Sequence, residues 1–119
     1  MPKVLLIDDS RFTRKNVSEY LAGKGYKIVE AENGIKGLDV IEAQKPDLII
    51  SDLLMPEMDG YIFLEELSNR NIHIPVIVMT ADIQETTKKR VMDLGAFAII
   101  NKPPDYTQLI KLIESVTNK

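Results

Sequence analysis

The chain contains no cysteine. Disulfides, thiolate nucleophiles and zinc–thiolate centres are thereby excluded, and the absence is compatible with a reducing cytoplasm. The one histidine, His73, stands alone near Pro75 and is assigned no role. There is no basic excess: 15 Lys and Arg face 18 Asp and Glu, for a formal charge of -3 and a pI of about 5.2. Such a balance argues against a general nucleic-acid binder, which needs surplus cations to neutralise phosphates. No apolar run approaches the roughly 18 residues of a membrane span. Near the N-terminus, Val4-Leu5-Leu6-Ile7 is too short for the core of a signal peptide, and Asp8-Asp9 follows at once. The expectation is a cytoplasmic protein with no membrane contact and no direct nucleic-acid contact. Repeats, low-complexity tracts and Pro/Ser/Gly-rich linkers are also missing. Residues 1–119 therefore read as a single domain, long enough to bury a core without staples.

What is present is alternation. Short apolar runs at 4–7, 28–29, 48–50, 76–79 and 97–100 are each bounded by charge or turn residues, as buried strands are. Between them lie segments with helical spacing. Tyr106, Leu109, Ile110, Ile113 and Val116 recur on one helical face. A first helix is expected from Ser10 to about Ala22, with Ser10 as N-cap and with Gly23 and Gly25 marking its end. Five strands alternating with five helices imply βαβ crossovers and a mostly parallel sheet covered on both faces. The length favours an open doubly wound sheet over a closed barrel.

Two of these strands run into acid: the first into Asp8-Asp9, the third into Asp52. In open α/β sheets, ligands bind beyond the carboxyl ends of the strands, where strand order reverses. If the first and third strands are neighbours, Asp8, Asp9 and Asp52 converge. Carboxylates so placed repel, and a hard divalent cation such as Mg²⁺, or Mn²⁺ in its place, would hold them together. The fourth strand ends in Thr80-Ala81 and the fifth in Asn101-Lys102-Pro103, which brings a hydroxyl and an ammonium to the same edge. Acids, a metal, a lysine and a threonine suit phosphoryl chemistry, with a carboxylate as nucleophile giving an aspartyl phosphate.

With these residues assembled, the chain resembles the receiver domain of two-component response regulators, in the manner of stand-alone chemotaxis-type receivers. The resemblance rests on Asp8-Asp9, on Asp52 with Met55-Pro56 and Asp59-Gly60 behind it, on Thr80-Ala81, and on Lys102-Pro103. Each alone is weak; together, in order and at strand ends, they are specific. The resemblance implies a flavodoxin-like (βα)5 fold with strand order 2-1-3-4-5. It implies that Asp52 accepts a phosphoryl group from a sensor histidine kinase. Asp9, Asp52 and the backbone carbonyl of Leu54 would ligate the metal, and Asp8 would act through water. Lys102 and Thr80, with Ala81 behind it, would contact the phosphoryl group, and Pro103 would follow a cis bond. Thr80 would then bias the fourth helix and its loop. Leu54 and Asp82 would tune the access of water to the phosphoryl group. Gly60 is read as permitting a turn before the third helix. Where many family members carry an aromatic switch residue, this chain has Ile99; the nearest aromatic, Phe97, is expected on the same strand face.

Blander readings stand beside these. Asp9 could be a helix cap, Thr80 likewise, and Lys102 a solvated lysine before a turn. Met55, Met58 and Met79 read as packing. Lys88-Lys89-Arg90 reads as a solvated helix face; within the family it is also the best candidate for a partner surface. The leading expectation is a signalling switch, not an enzyme. It would act as a monomer or as a weak, phosphorylation-dependent dimer on a downstream protein. It would stand alone, because the sequence stops after Val116-Thr117-Asn118-Lys119. The alternatives are a Mg²⁺-dependent phosphatase working through an aspartyl phosphate, and a receiver-like module that binds without being phosphorylated.

Overall fold

A computed structural model describes residues 2–117; Met1, Asn118 and Lys119 lie outside the described residues. The apolar runs become strands, and the segments between them become helices. In chain order these are β1 (Lys3–Ile7), α1 (Arg11–Gly23), β2 (Lys27–Ala31), α2 (Gly34–Gln44), β3 (Leu48–Asp52), α3 (Gly60–Asn69), β4 (Val76–Thr80), α4 (Glu85–Asp93), β5 (Ala98–Asn101) and α5 (Tyr106–Thr117). All strand pairs are parallel, in the order β2-β1-β3-β4-β5. This is the flavodoxin-like order expected above. The order reverses between β1 and β3, so the crevice of the fold opens at their carboxyl ends.

The central strands are apolar on both faces because both faces are covered. Leu5, Ile7, Ile49, Val76 and Val78 enter one core layer with Leu38 and Ile41 of α2, Phe63, Leu64 and Leu67 of α3, and Val91 of α4. Val4, Leu6, Leu48, Ile50, Ile77 and Met79 enter the other, with Val17 and Leu21 of α1 and Leu109 and Ile113 of α5. Successive strand residues thus alternate between two cores. Met55 is buried and Met58 packs against the first layer, as packing residues do.

Helix starts follow local hydrogen bonding. Ser10 Oγ accepts the Thr13 N–H, Asn33 Oδ1 the Lys36 N–H, and Asp59 Oδ1 the Ile62 N–H. α4 differs, since Gln84 at its N-cap makes no side-chain capping bond. The end of α1 falls slightly off the expectation. Gly23 is its last helical residue, Lys24 is the C-cap, and the left-handed position is Gly25 (φ 94°).

Phe97 lies just outside β5, which begins at Ala98, so strand alternation does not by itself place it. Its N–H still donates to Val76 O (2.8 Å), and it lines a groove with Leu64, Leu67 and Ala96 of the core layer that Ile99 packs against. Phe97 is half exposed, and the open groove, of about 540 Å³, also takes in Ile72, His73 and Pro75, at the amino ends of β4 and β5. That is the opposite edge from the acids.

Phe63 is fully buried between α3 and the sheet. Phe63→Ala is expected to cost about 3–5 kcal/mol, measured as a fall in the urea midpoint at unchanged slope. A loss below about 1 kcal/mol would contradict this packing.

Candidate functional site

The register that pairs Ile7 with Ser51 puts Asp8, the residue after β1, next to Asp52, the last residue of β3. Asp8 is held there from both sides: its N–H donates to Ala31 O (3.2 Å), and its Oδ1 accepts the Ser10 N–H (2.8 Å). One carboxylate oxygen each from Asp8, Asp9 and Asp52 lies within 4.8 Å of the others. Asp8 and Asp52 are buried and Asp9 is exposed. From β5 comes the cation. The Lys102 N–H donates to Thr80 O (3.0 Å), which fixes where its side chain starts. Its Nζ donates to Asp52 Oδ2 at 3.0 Å and lies 2.9 Å from Asp8 Oδ2. The contact to Asp8 is a close ion pair without a well-directed hydrogen bond, which leaves a buried carboxylate oxygen short of donors. The peptide bond between Lys102 and Pro103 is cis.

Charge here is undercompensated. Burial pushes the Asp52 carboxyl above the usual carboxylate range; the Lys102 hydrogen bond pulls it back, Asp8 pushes it up again, and the net shift is upward. For Lys102, burial works against its charge, but its close contacts with the Asp8 and Asp52 carboxylates outweigh it and raise its pKa. The lysine therefore stays an ammonium, while the acid pair beside it wants more positive charge. An all-oxygen donor set with an underbonded, buried oxygen fits a hard divalent cation.

The segment behind Asp52 is built for close approach. Asp52 Oδ1 accepts the Leu53 N–H (2.8 Å), and the Gly60 N–H donates back to Leu53 O (2.7 Å). A Cβ on Gly60 would lie 2.9 Å from Leu53 Cα and 3.1 Å from Asp52 O. The glycine is needed because α3 begins against this backbone, and not for the turn expected above. Among the described residues of this loop, the left-handed conformation falls on Glu57 (φ 70°). Leu54 is exposed beside the acids.

Thr80 ends β4 and is buried, and Ala81 beyond it is exposed. Thr80 Oγ1 accepts the Asp82 N–H (3.1 Å). The carboxylate of Asp82 turns toward α4, where Oδ2 accepts the Thr87 hydroxyl (3.0 Å) and Oδ1 accepts the Gln84 N–H (3.3 Å). Ile99 pairs with Val78 in the sheet and packs against the first core layer. The basic run on α4 has local partners: Lys88 approaches Glu85, Lys89 pairs with Asp93, and the Arg90 guanidinium stacks on the Tyr61 ring of α3 at 3.8 Å. Sequence reasoning missed Arg14, whose guanidinium donates to the Asp8 carbonyl and pairs with Glu30 at 3.4 Å. Nothing in the sequence separates it from its solvated neighbours on α1.

The chain matches proteins already described. A family model for the response regulator receiver domain matches residues 4–114. Chemotaxis protein CheY of Treponema pallidum is 33% identical over 117 residues, covering 96% of this chain and 81% of that protein. Transcriptional regulatory protein PdtaR of Mycobacterium tuberculosis is 36% identical over 118 residues, or 98% of this chain; the chain spans only 57% of that relative's length. Among solved structures, chemotaxis protein CheY4 of Vibrio cholerae superposes with a TM-score of 0.90 at 30% identity, over 98% of both chains. The receiver domain of the Francisella response regulator 1452 does so at 0.93 and 28%, over 98% of this chain and 96% of that one.

The raised Asp52 pKa has a consequence for stability. A carboxyl raised by folding favours the fold in its protonated form. That contribution is fully present below the unfolded value, near pH ~3.9, and is lost as pH rises through the folded value. Asp52→Asn keeps the neutral shape at every pH. In metal-free buffer the variant is expected to be more stable than wild type at pH 7, with the gap closing toward pH 4. Urea unfolding across that range measures it, and a gap that does not change with pH contradicts the assignment.

Proposed function

The chain belongs to the response regulator receiver domain family, and from that premise we propose that Asp52 accepts a phosphoryl group from the phosphohistidine of a sensor histidine kinase. The observation that carries this reading is the position of Lys102 Nζ, 3.0 Å from Asp52 Oδ2 and 2.9 Å from Asp8 Oδ2, beside the acid trio. Receivers of this family are signalling modules that meet histidine kinases and downstream targets.

A carboxylate oxygen of Asp52 forms the new O–P bond as the P–N bond of the phosphohistidine breaks; the imidazole leaves with the electron pair and takes up a proton. Burial strips water from this oxygen and keeps it basic. Lys102 stays cationic and lies where the phosphoryl oxygens would arrive, so it offsets their charge. Thr80 Oγ1 already accepts one hydrogen bond, and its proton remains free to donate to the phosphoryl group. Asp9, Asp52 and the Leu54 carbonyl would hold Mg²⁺, or Mn²⁺, with Asp8 acting through water. When bound, the ion neutralises charge on the transferring phosphoryl oxygens. Leu54 and Asp82 would set the access of water to the aspartyl phosphate.

The output side follows from Thr80 and Lys102 flanking β4 and β5. Engagement of Thr80 would shift the loop after β4 and, with it, the face formed by α4, β5 and α5, including Ile99. Within the basic run of α4, Lys88 and Lys89 are the candidates for contact with a partner, since the Tyr61 ring already covers Arg90. No helix among the described residues is long and apolar enough to cross a membrane.

Intact mass after incubation with acetyl phosphate tests the chemistry. Wild type with Mg²⁺ is expected to gain one phosphoryl group; wild type with chelator, and Asp52→Asn, are expected to gain none. Lys102→Ala should react at least ~100-fold more slowly, the loss typical of one electrostatic stabiliser. Sustained turnover of acetyl phosphate without a labelled intermediate would point instead to an enzyme. No reaction at all would point to a module that only binds.

A further inference from the structure

α4 carries no capping bond from its own N-cap residue, Gln84. Helix starts leave several N–H groups without intrahelical partners, so an uncapped start is costly unless something else reaches it. Asp82 does, from two residues upstream. Its Oδ1 accepts the Gln84 N–H at 3.3 Å, and its Oδ2 accepts the hydroxyl of Thr87, which is itself buried, at 3.0 Å. Asp82 in turn depends on Thr80, because its N–H donates to Thr80 Oγ1 at 3.1 Å. A continuous path of hydrogen bonds thus runs from the hydroxyl at the end of β4 to the first turn of α4.

We propose that Asp82 is a positioning residue, an external cap of α4 that makes the helix start sensitive to the orientation of the Thr80 hydroxyl. The coupling is mechanical. While Thr80 Oγ1 accepts the Asp82 N–H, the loop holds both Asp82 oxygens against α4. When Thr80 turns toward a group on Asp52, that N–H loses its acceptor and the loop must move to find another. The movement draws Asp82 away from Gln84 and Thr87, and α4 loses its cap. Both oxygens of Asp82 are engaged by α4 before any phosphoryl group arrives, so its first task is to hold the helix. The signalling meaning of this cap rests on the reading of Thr80 given above; the coupling itself does not.

Native-state amide hydrogen exchange tests it without metal or phosphate, so a failure to phosphorylate Asp52 leaves the result untouched. The readout is the exchange of Lys88–Asp93 in α4, with α2 amides as internal reference so that any global loss of stability divides out. Asp82→Ala and Thr87→Val are each expected to speed α4 exchange about fivefold, the effect of a lost cap, and Thr87→Ser to restore it. Thr80→Val is expected to do the same, with Thr80→Ser close to wild type. The double variant Thr80→Val/Asp82→Ala should exchange no faster than Asp82→Ala alone, since the two act through one path. α4 exchange at the wild-type rate in Thr87→Val would overturn the cap. Wild-type exchange in Thr80→Val, or a double variant whose effects multiply, would overturn the coupling.

Discussion

The Lys102 ammonium between two buried carboxylates is the interaction on which the rest of the molecule depends. Asp8 and Asp52 are brought together by the parallel pairing of β1 with β3, which the hydrophobic core enforces. Two such groups shut away from water repel each other, and a cation against them offsets that repulsion. The sheet supplies one from two strands away. Lys102 follows β5 directly, and its backbone bond to Thr80 delivers Nζ to within 3.0 Å of Asp52 and 2.9 Å of Asp8. A single positive charge does not fully offset two negative ones, so the site remains attractive to a further cation and to the chemistry that cation serves.

That residual imbalance links the stability of the protein to its function. Burial and Asp8 hold the Asp52 carboxyl above its ordinary range, which disfavours the charged fold at neutral pH. The same burial gives a nucleophilic oxygen cleared of water. The surrounding backbone is tied down accordingly: Ser10 and Arg14 hold the Asp8 side, and the close approach of Gly60 to Leu53 holds the Asp52 side. The core contributes the stability that such a site consumes, and strained or undercompensated positions gather where chemistry is expected.

Much of this was legible in the amino-acid pattern. Apolar runs with charged ends marked the strands, and Ser10 marked the start of α1, because burial and capping leave short-range signals. The acids, Thr80 and Lys102 could be placed because each sits at a strand end, and a parallel sheet gathers its carboxyl ends on one edge. What escaped depends on contacts that periodicity does not encode. The role of Gly60 is a close approach between segments that only the folded chain brings together. Phe97 falls just outside the strand because the boundary of β5 lies one residue later than the apolar run. Arg14 resembles any helix-surface arginine until Asp8 is placed beneath it. The pairing of Arg90 with Tyr61 and of Asp82 with Thr87 belongs to the packing of α4 against its neighbours, which no local pattern specifies.

The most direct test of the central claim is a carbon-13 NMR titration of the Asp52 carboxyl in metal-free wild type and in Lys102→Met. A wild-type pKa above that of an ordinary aspartate is predicted, with a further rise in the variant, because the group that pulls it down most is gone while the Leu53 N–H bond remains. An Asp52 that titrates in the ordinary range, or that is unmoved by the loss of Lys102, would contradict it.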